Sequence, residues 1–151
     1  MKYIREAIVK TSEGCIFCTK PAESTDRQNL ILHRGVHAFV MLNAFPYNNG
    51  HLMVIPFLHT STMDDIDAPC AADLWQLLAK SRQALSKAFN PDGFNIGINL
   101  GRAAGAGIDT HLHVHIVPRW NGDVNYMPVI GETKVISQSL DEAYDALKGF
   151  F

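Results

Sequence analysis

The sequence predicts an α+β domain built on an antiparallel sheet, and three observations carry that reading. Short apolar or alternating segments recur at residues 36–42, 51–56, 94–99 and 111–117, each closed by a turn former or a proline. One long stretch, residues 67–89, repeats its apolar residues at helical spacing instead. A second amphipathic stretch, 139–147, is short and lies near the C-terminus. Strands in hairpins with one long helix to cover them are the pattern of an α+β layer architecture. With 151 residues, no internal repeat and no low-complexity linker, the chain reads as one domain over 1–151.

The elements follow in order. Segment 36–42 is a strand ending at Asn43, and the run 43–50 (NAFPYNNG) is rich in turn formers. Residues 51–56 (HLMVIP) form a short apolar strand stopped by proline. Asp67 can cap the helix that follows, and Pro69 is tolerated in its first turn, where a missing N–H costs nothing. Ala71, Leu74, Trp75, Leu78, Leu85 and Phe89 make one buried stripe, while Leu77 and Ala84 lie outside it and suggest a second buried face. Asn90-Pro91 ends the helix. Residues 94–99 (FNIGIN) alternate as a short uncharged strand, the kind that needs an edge partner or a cover. Residues 101–107 (GRAAGAG) read as a glycine-rich loop, and 111–117 (HLHVHIV) as an alternating strand stopped by Pro118.

Composition narrows the function classes. Apolar residues make up 47% and charged residues 19%, the balance of an ordinary globular chain. A formal net charge of -2 leaves no basic field for nucleic acid, so any phosphate ligand must be gripped locally. No apolar run approaches the roughly 20 residues that span a bilayer, and MKYIREAIVK lacks a signal-peptide core, so no membrane association and a cytoplasmic location are expected. In a reducing cytosol the pair Cys15-Ile16-Phe17-Cys18 suggests metal or redox chemistry more than a disulfide. It has the spacing of half a zinc site. Cys70, at the helix start, reads as a small semi-buried residue.

The strand at 111–117 carries the chemistry. Alternation places His111, His113 and His115 on one face and Leu112, Val114 and Ile116 on the other. Alone, such a strand reads as readily as three exposed histidines, or a loose metal site, as it does as a catalytic face. The glycine-rich loop before it changes the balance. Successive backbone N–H groups there can form an anion nest, with no Cβ to hold a phosphate away. A nest leading into a histidine strand suits phosphoryl chemistry.

His111-Leu112-His113-Val114-His115-Ile116-Val117 resembles the His-x-His-x-His-x-x signature of the histidine-triad (HIT) superfamily, where x is apolar. Gly50-His51-Leu52-Met53-Val54-Ile55-Pro56, followed by His59, resembles that family's second block, and Cys15-Ile16-Phe17-Cys18 its N-terminal block in many bacterial members. The blocks occur in family order over most of the chain. The resemblance implies a HIT-like fold: an antiparallel sheet of about five strands, one long helix and a short C-terminal helix. It also implies an enzyme acting at the α-phosphate of a nucleotide. His113 would be the nucleophile, His115 a stabiliser of the phosphate oxygens, and His111 and His51 a supporting shell. Asn43 would contact the ribose and Asn99 would be the phosphate-loop asparagine, readings favoured over a plain turn or strand-end Asn at each. Gly105, Gly107 and Ile108 would offer backbone N–H groups, whereas Arg102 reads as an exposed loop arginine. By the same resemblance, zinc would be structural, held by Cys15, Cys18, His59 and His111, with no organic cofactor. The chain would be a homodimer, paired through the long helix and a sheet edge.

Two departures within the family are informative. Gly107 and Ile108 stand where many members carry Gln and then Ser or Thr, and in the phosphoramidase branch that hydroxyl helps the leaving group depart. Ile108 cannot, which puts a phosphoramidate substrate in doubt. Pro118-Arg119-Trp120-Asn121-Gly122-Asp123 resembles the tail of the Fhit branch, which splits dinucleoside polyphosphates. The continuation into residues 125–135 looks more like bacterial HIT-type diadenosine tetraphosphate phosphorylases. Hydrolysis and phosphorolysis share a first step, and both stay open.

Overall fold

The computed structural model describes residues 14–151, so the N-terminal stretch read for a leader lies outside the described residues. The elements are α1 (Ile16–Ala22), β1 (Ile31–Arg34), β2 (Ala38–Leu42), β3 (Leu52–Pro56), α2 (Ala68–Phe89), β4 (Gly93–Ile98), β5 (Val114–Arg119), α3 (Met127–Ile130) and α4 (Leu140–Lys148). The five strands form one sheet in the order β1-β2-β3-β5-β4, every pair antiparallel. The α+β class and the five-stranded sheet with its long and short helices are therefore as the sequence and its resemblance predict. Among the described residues no helix is long and apolar enough to cross a membrane.

The helix boundaries follow from local chemistry. The Asp67 side chain accepts from the Cys70 N–H, and Asn90 closes α2 in the left-handed region at φ 46°. Ser139 and Glu142 form a reciprocal capping box at the start of α4. The stripe of α2 differs in phase from the sequence reading. Leu74, Leu77, Leu78, Ser81, Ala84 and Leu85 are buried, whereas Ala71 is exposed and Trp75 is 74% exposed. Leu77 and Ala84 thus belong to the single sheet-facing stripe and give no second buried face. Cys70 is fully inside, in the core.

Strand limits shift as well. Segment 111–117 does not stop at Pro118, because β5 runs on to Arg119. The ladder from β3 ends at the Leu52–Ile116 pair, so Pro118 lies beyond it and its missing N–H breaks no bond on that side. Conversely, His111 and His113 precede the hydrogen-bonded part of the strand. The fifth strand, β1, is one that the hydrophobic pattern did not locate. The glycine-rich loop holds a single 3-10 turn at Arg102–Ala104 between Gly101 and Gly105, whose φ values of 78° and 91° call for glycine.

Alternation divides the interior in two. Leu112, Val114 and Ile116 join Val40, Leu42, Leu52 and Val54 against α2 and α4. Met41, Met53, Ile31, Phe39 and Ile55 point to the opposite face, where Phe17 of α1 covers them. That second face is where the histidines lie, beside an apolar cluster rather than in an open polar cleft.

Candidate active site

A cavity of about 260 Å³ opens on this second face. Its walls include Phe17 and Lys20 from α1, Met41 and Met53 from the sheet, Asn43, Phe45 and Tyr47 from the turn after β2, Gly105, Gly107 and Ile108 from the glycine-rich loop, and His113 and His115. Asn43, Gly105, Gly107, Ile108, His113 and His115, all singled out from sequence, therefore converge on one space, while His51 and His111 lie beside it. Asn99 does not line it. It sits one residue past the Ile98–Val114 pair, which places its backbone opposite His113. Arg102 turns outward to Asp109 at 2.6 Å, tying the two ends of the loop together.

The imidazoles are fixed by hydrogen bonds whose direction is unambiguous. The carbonyl of His111 lies 2.8 Å from His113 Nδ1. A carbonyl can only accept, so Nδ1 carries the proton and Nε2 keeps a lone pair. On the other side of the pair, the Tyr47 backbone N–H donates to His51 Nδ1 at 3.0 Å. That nitrogen is unprotonated, so neutral His51 has its proton on Nε2, 2.9 Å from His115 Nδ1. His115 Nδ1 accepts, and its own proton is left on Nε2, a buried atom with no partner among the described residues. The rings of His113 and His115 stand 4.8 Å apart. A lone pair and an N–H donor thus arise side by side on two rings lining one cavity.

Burial keeps this arrangement neutral. Desolvation, then the neighbouring His115, pulls His51 from its ordinary value of 6.5 to about 3. Desolvation, then His113, brings His115 to about 4. His113 is also pulled down by burial, opposed by its bond to the His111 carbonyl. Tyr47 lies over both His51 and His115, at 4.4 and 5.5 Å between centroids. Asn43 sits beside His51, with Nδ2 3.4 Å from its Nδ1, and its Oδ1 accepts from the Phe45 N–H in a local turn.

The ring of His111 points elsewhere. Its Nε2–H donates to the Pro56 carbonyl at 2.9 Å, leaving a lone pair on Nδ1. That nitrogen lies 3.3 Å from Cys15 Sγ, 3.6 Å from Cys18 Sγ and 3.2 Å from His59 Nδ1. All four ligand atoms fall within 4.8 Å of one another. Zinc–sulfur and zinc–nitrogen bonds of about 2.3 and 2.0 Å place tetrahedral ligands roughly 3.3–3.8 Å apart, so the four residues fit a metal ion. Two sulfurs and two ring nitrogens are also the donor types of such a site.

The family model of the HIT domain matches residues 25–122. The chain belongs to the histidine-triad family. The AP-4-A phosphorylase of Mycobacterium tuberculosis is 39% identical over 145 residues, covering 93% of this chain and 74% of that protein. Among solved structures, a Zn-bound histidine triad family protein from Mycobacterium smegmatis superimposes with a TM-score of 0.70 at 24% identity, covering 91% of this chain and 92% of that one. A hypothetical histidine triad nucleotide-binding protein from Sulfolobus tokodaii gives 0.66 at 27% identity, covering 90% and 88%. The sheet order and helices described above are thus the HIT fold, and His111, His113 and His115 are its histidine triad.

Sequence reasoning reached the histidines, the glycine-rich loop and Asn43, but missed the apolar and aromatic walls of the cavity. Tyr47, Met41 and Met53 had no signal beyond lying in a turn or a strand. The helical wall, Phe17 and Lys20, was read only as the neighbourhood of a cysteine pair.

Proposed function

We propose that this HIT protein cleaves dinucleoside polyphosphates, such as diadenosine tetraphosphate, through a covalent nucleotidyl-histidine intermediate. The observation that carries the reading is the pairing of a His113 Nε2 lone pair with a His115 Nε2–H in one cavity. His113 Nε2 attacks the α-phosphorus and forms a P–N bond, while the bond from that phosphorus to the bridging oxygen breaks. The departing chain, ATP in the case of diadenosine tetraphosphate, carries the electron pair away. His115 donates a hydrogen bond to the phosphate oxygens, and the N–H groups of Gly105, Gly107 and Ile108 supply further donors. Asn43 is placed to meet the ribose, and His51 holds His115 in its tautomer. Asn99, beside His113 at the end of β4, positions the phosphate loop.

Two features favour a polyphosphate over a phosphoramidate. His115, held at about 4, is a neutral donor at pH 7 and a poor source of a proton. A polyphosphate leaves as a stable anion and needs none, whereas a departing amine does. Ile108 supplies no hydroxyl to help one.

Phosphate is the second acceptor on this reading, supported by the 39% identity to a phosphorylase. Its oxygen displaces His113 from the phosphorus and yields ADP, while water in the same role yields AMP. Incubating the protein with diadenosine tetraphosphate, with and without phosphate, decides it. ATP with ADP marks phosphorolysis, ATP with AMP hydrolysis, and intact substrate in both overturns the proposal.

Zinc is the metal assigned to Cys15, Cys18, His59 and His111. With four protein ligands it supplies a cross-link and no open coordination position, so it takes no part in the reaction. The chain is also proposed to be a homodimer paired along β4, an uncharged edge strand on which Ile96 is 51% exposed. Three cysteines, none in a disulfide, fit a reducing compartment, the cytoplasm.

A further inference from the structure

The tail after the triad has so far served only to mark a branch of the family. Its residues make a half-buried clamp on the turn that carries Tyr47 and His51. The Asp123 carboxylate accepts from Arg119 Nε at 2.7 Å and Nη2 at 2.9 Å, and from the Trp120 N–H at 3.1 Å. It also accepts from Asn48 Nδ2 at 2.7 Å, and the same amide donates to the Pro118 carbonyl at 3.0 Å. Asn48 is only 7% exposed, and its own carbonyl accepts from the His51 N–H at 3.2 Å. The residue before it, Tyr47, supplies the N–H that holds His51 Nδ1 unprotonated.

We propose that Asn48 and Asp123 are positioning residues for catalysis, because they fix the backbone that sets the tautomer of His51 and, through it, of His115. A neutral imidazole carries its proton on either nitrogen, and only its surroundings choose. Here the choice depends chiefly on the Tyr47 main-chain N–H at 3.0 Å, with the Asn43 amide a longer second contact at 3.4 Å. Asn43 Oδ1 closes the turn at Phe45, and the Asn43 N–H bonds the His51 carbonyl. Asn48 ties the loop to the end of β5 and the turn after it, through an amide with both donated bonds satisfied there, while the neighbouring Asn49 donates to Gln138 Oε1 at 2.6 Å. If the loop moves by a fraction of an ångström, the Tyr47 N–H leaves His51 Nδ1. The proton is then free to sit on that nitrogen. His51 Nε2 becomes an acceptor, His115 must place its proton on Nδ1, and the N–H facing the cavity becomes a lone pair. A donor to the phosphate is replaced by a group that repels it. Neither Asn48 nor Asp123 needs to touch substrate for this, and neither lines the cavity.

The inference rests on the dinucleoside polyphosphate reading, so its test has one arm that needs no substrate. Nitrogen-15 NMR of the imidazoles at pH 7 reads the tautomers directly. Wild-type protein is expected to show His51 and His115 both protonated at Nε2, and Asn48→Ala to show a substantial Nδ1–H population at His115. In the second arm, Asn48→Ala lowers kcat for diadenosine tetraphosphate by about 10- to 100-fold, with KM changed less than about threefold. Asp123→Asn, which retains an acceptor of the same shape, falls between. Asn95→Ala removes only the outer contact to Arg119 Nη1, 2.6 Å away, and matches wild type in both arms. A His115 that stays protonated at Nε2 in Asn48→Ala overturns the proposal, whether or not kcat falls. So does a shifted tautomer with unchanged kcat. If Asn48→Ala does not fold, Asp123→Asn carries the same two readouts. If wild-type protein leaves the dinucleotide intact, the functional reading fails, while the NMR arm still decides whether the clamp sets the tautomer.

Discussion

The nucleophilic character proposed for His113 comes from a bond two residues away in its own chain. Because the His111 carbonyl accepts a hydrogen bond from His113 Nδ1–H at 2.8 Å, Nε2 keeps its lone pair at any pH where the ring is neutral. Replacing His113 by alanine leaves the cavity walls and the loop donors in place. The expected outcome is a kcat lowered more than about a hundredfold, over about 2.7 kcal/mol, with nucleotide binding by calorimetry changed less than about tenfold. Retained turnover would end the covalent reading. The neutral state of His51 and His115 has a second consequence, for stability. Their folded values of about 3 and about 4 lie below the ordinary 6.5, so the unfolded chain binds more protons across that interval. Stability is then full above about pH 7 and is lost as the pH falls from 6.5 towards 4. The slope reaches up to about 2.7 kcal/mol per pH unit for the two groups together. Denaturant titrations at pH 7, 6 and 5 check this, and a stability that rises on acidification would contradict it. The spacing of the triad, and the shared face of His113 and His115, were legible in the sequence through strand alternation, whereas the turn of the His111 ring toward Cys15 and Cys18 was not. The tautomers were not, because they are set by the amide of Tyr47 and the carbonyl of His111, groups that every residue carries.

Among the elements, α1 depends most on something other than its own sequence. It has seven residues, Pro21 within them, and no side-chain cap at Cys15. So short a helix is marginal by itself. Phe17 packs it down, with its ring 5.1 Å from His113 and 5.6 Å from His111. The cluster of Cys15, Cys18, His59 and His111 binds its start to the end of β3 and the approach to β5. About one zinc per chain is expected by elemental analysis, lost in Cys15→Ser, with a lower melting temperature on chelation. Protein that is metal-free and equally stable would remove the zinc assignment. The long helix was legible to its caps, Asp67 and Asn90, because capping chemistry is local. Its buried stripe was misphased around Trp75 because an aromatic residue reads as core wherever it sits, although 74% of this one faces solvent. Strand β1 escaped notice for a related reason. It has four residues, two of them polar, and follows Leu30 in the left-handed region at φ 61°. Its strand character comes from pairing with β2 rather than from its pattern.

For the whole molecule, the unpaired side of β4 decides what assembly to expect. Six residues without a charge or a proline leave a row of backbone donors and acceptors open to another chain. A second copy meeting it across a two-fold axis would continue the sheet from one protomer to the next. Light scattering at micromolar concentration should give about twice the 16.7 kDa of one chain, and a mass near 16.7 kDa would exclude the dimer. The burial of Leu77 and Ala84 within the chain leaves β4 as the support for that expectation. A different division of labour runs through His111. Its side chain joins the Cys15, Cys18 and His59 cluster proposed to hold the metal, and its main-chain carbonyl accepts from His113, the proposed nucleophile. The two contributions can therefore be inherited separately. A descendant of this sequence that exchanges Cys15, Cys18, His59 and the ring of His111 for ordinary packing would give up its metal and keep the proton of His113 where it is. No single side-chain replacement at position 111 can undo a hydrogen bond made by the backbone itself.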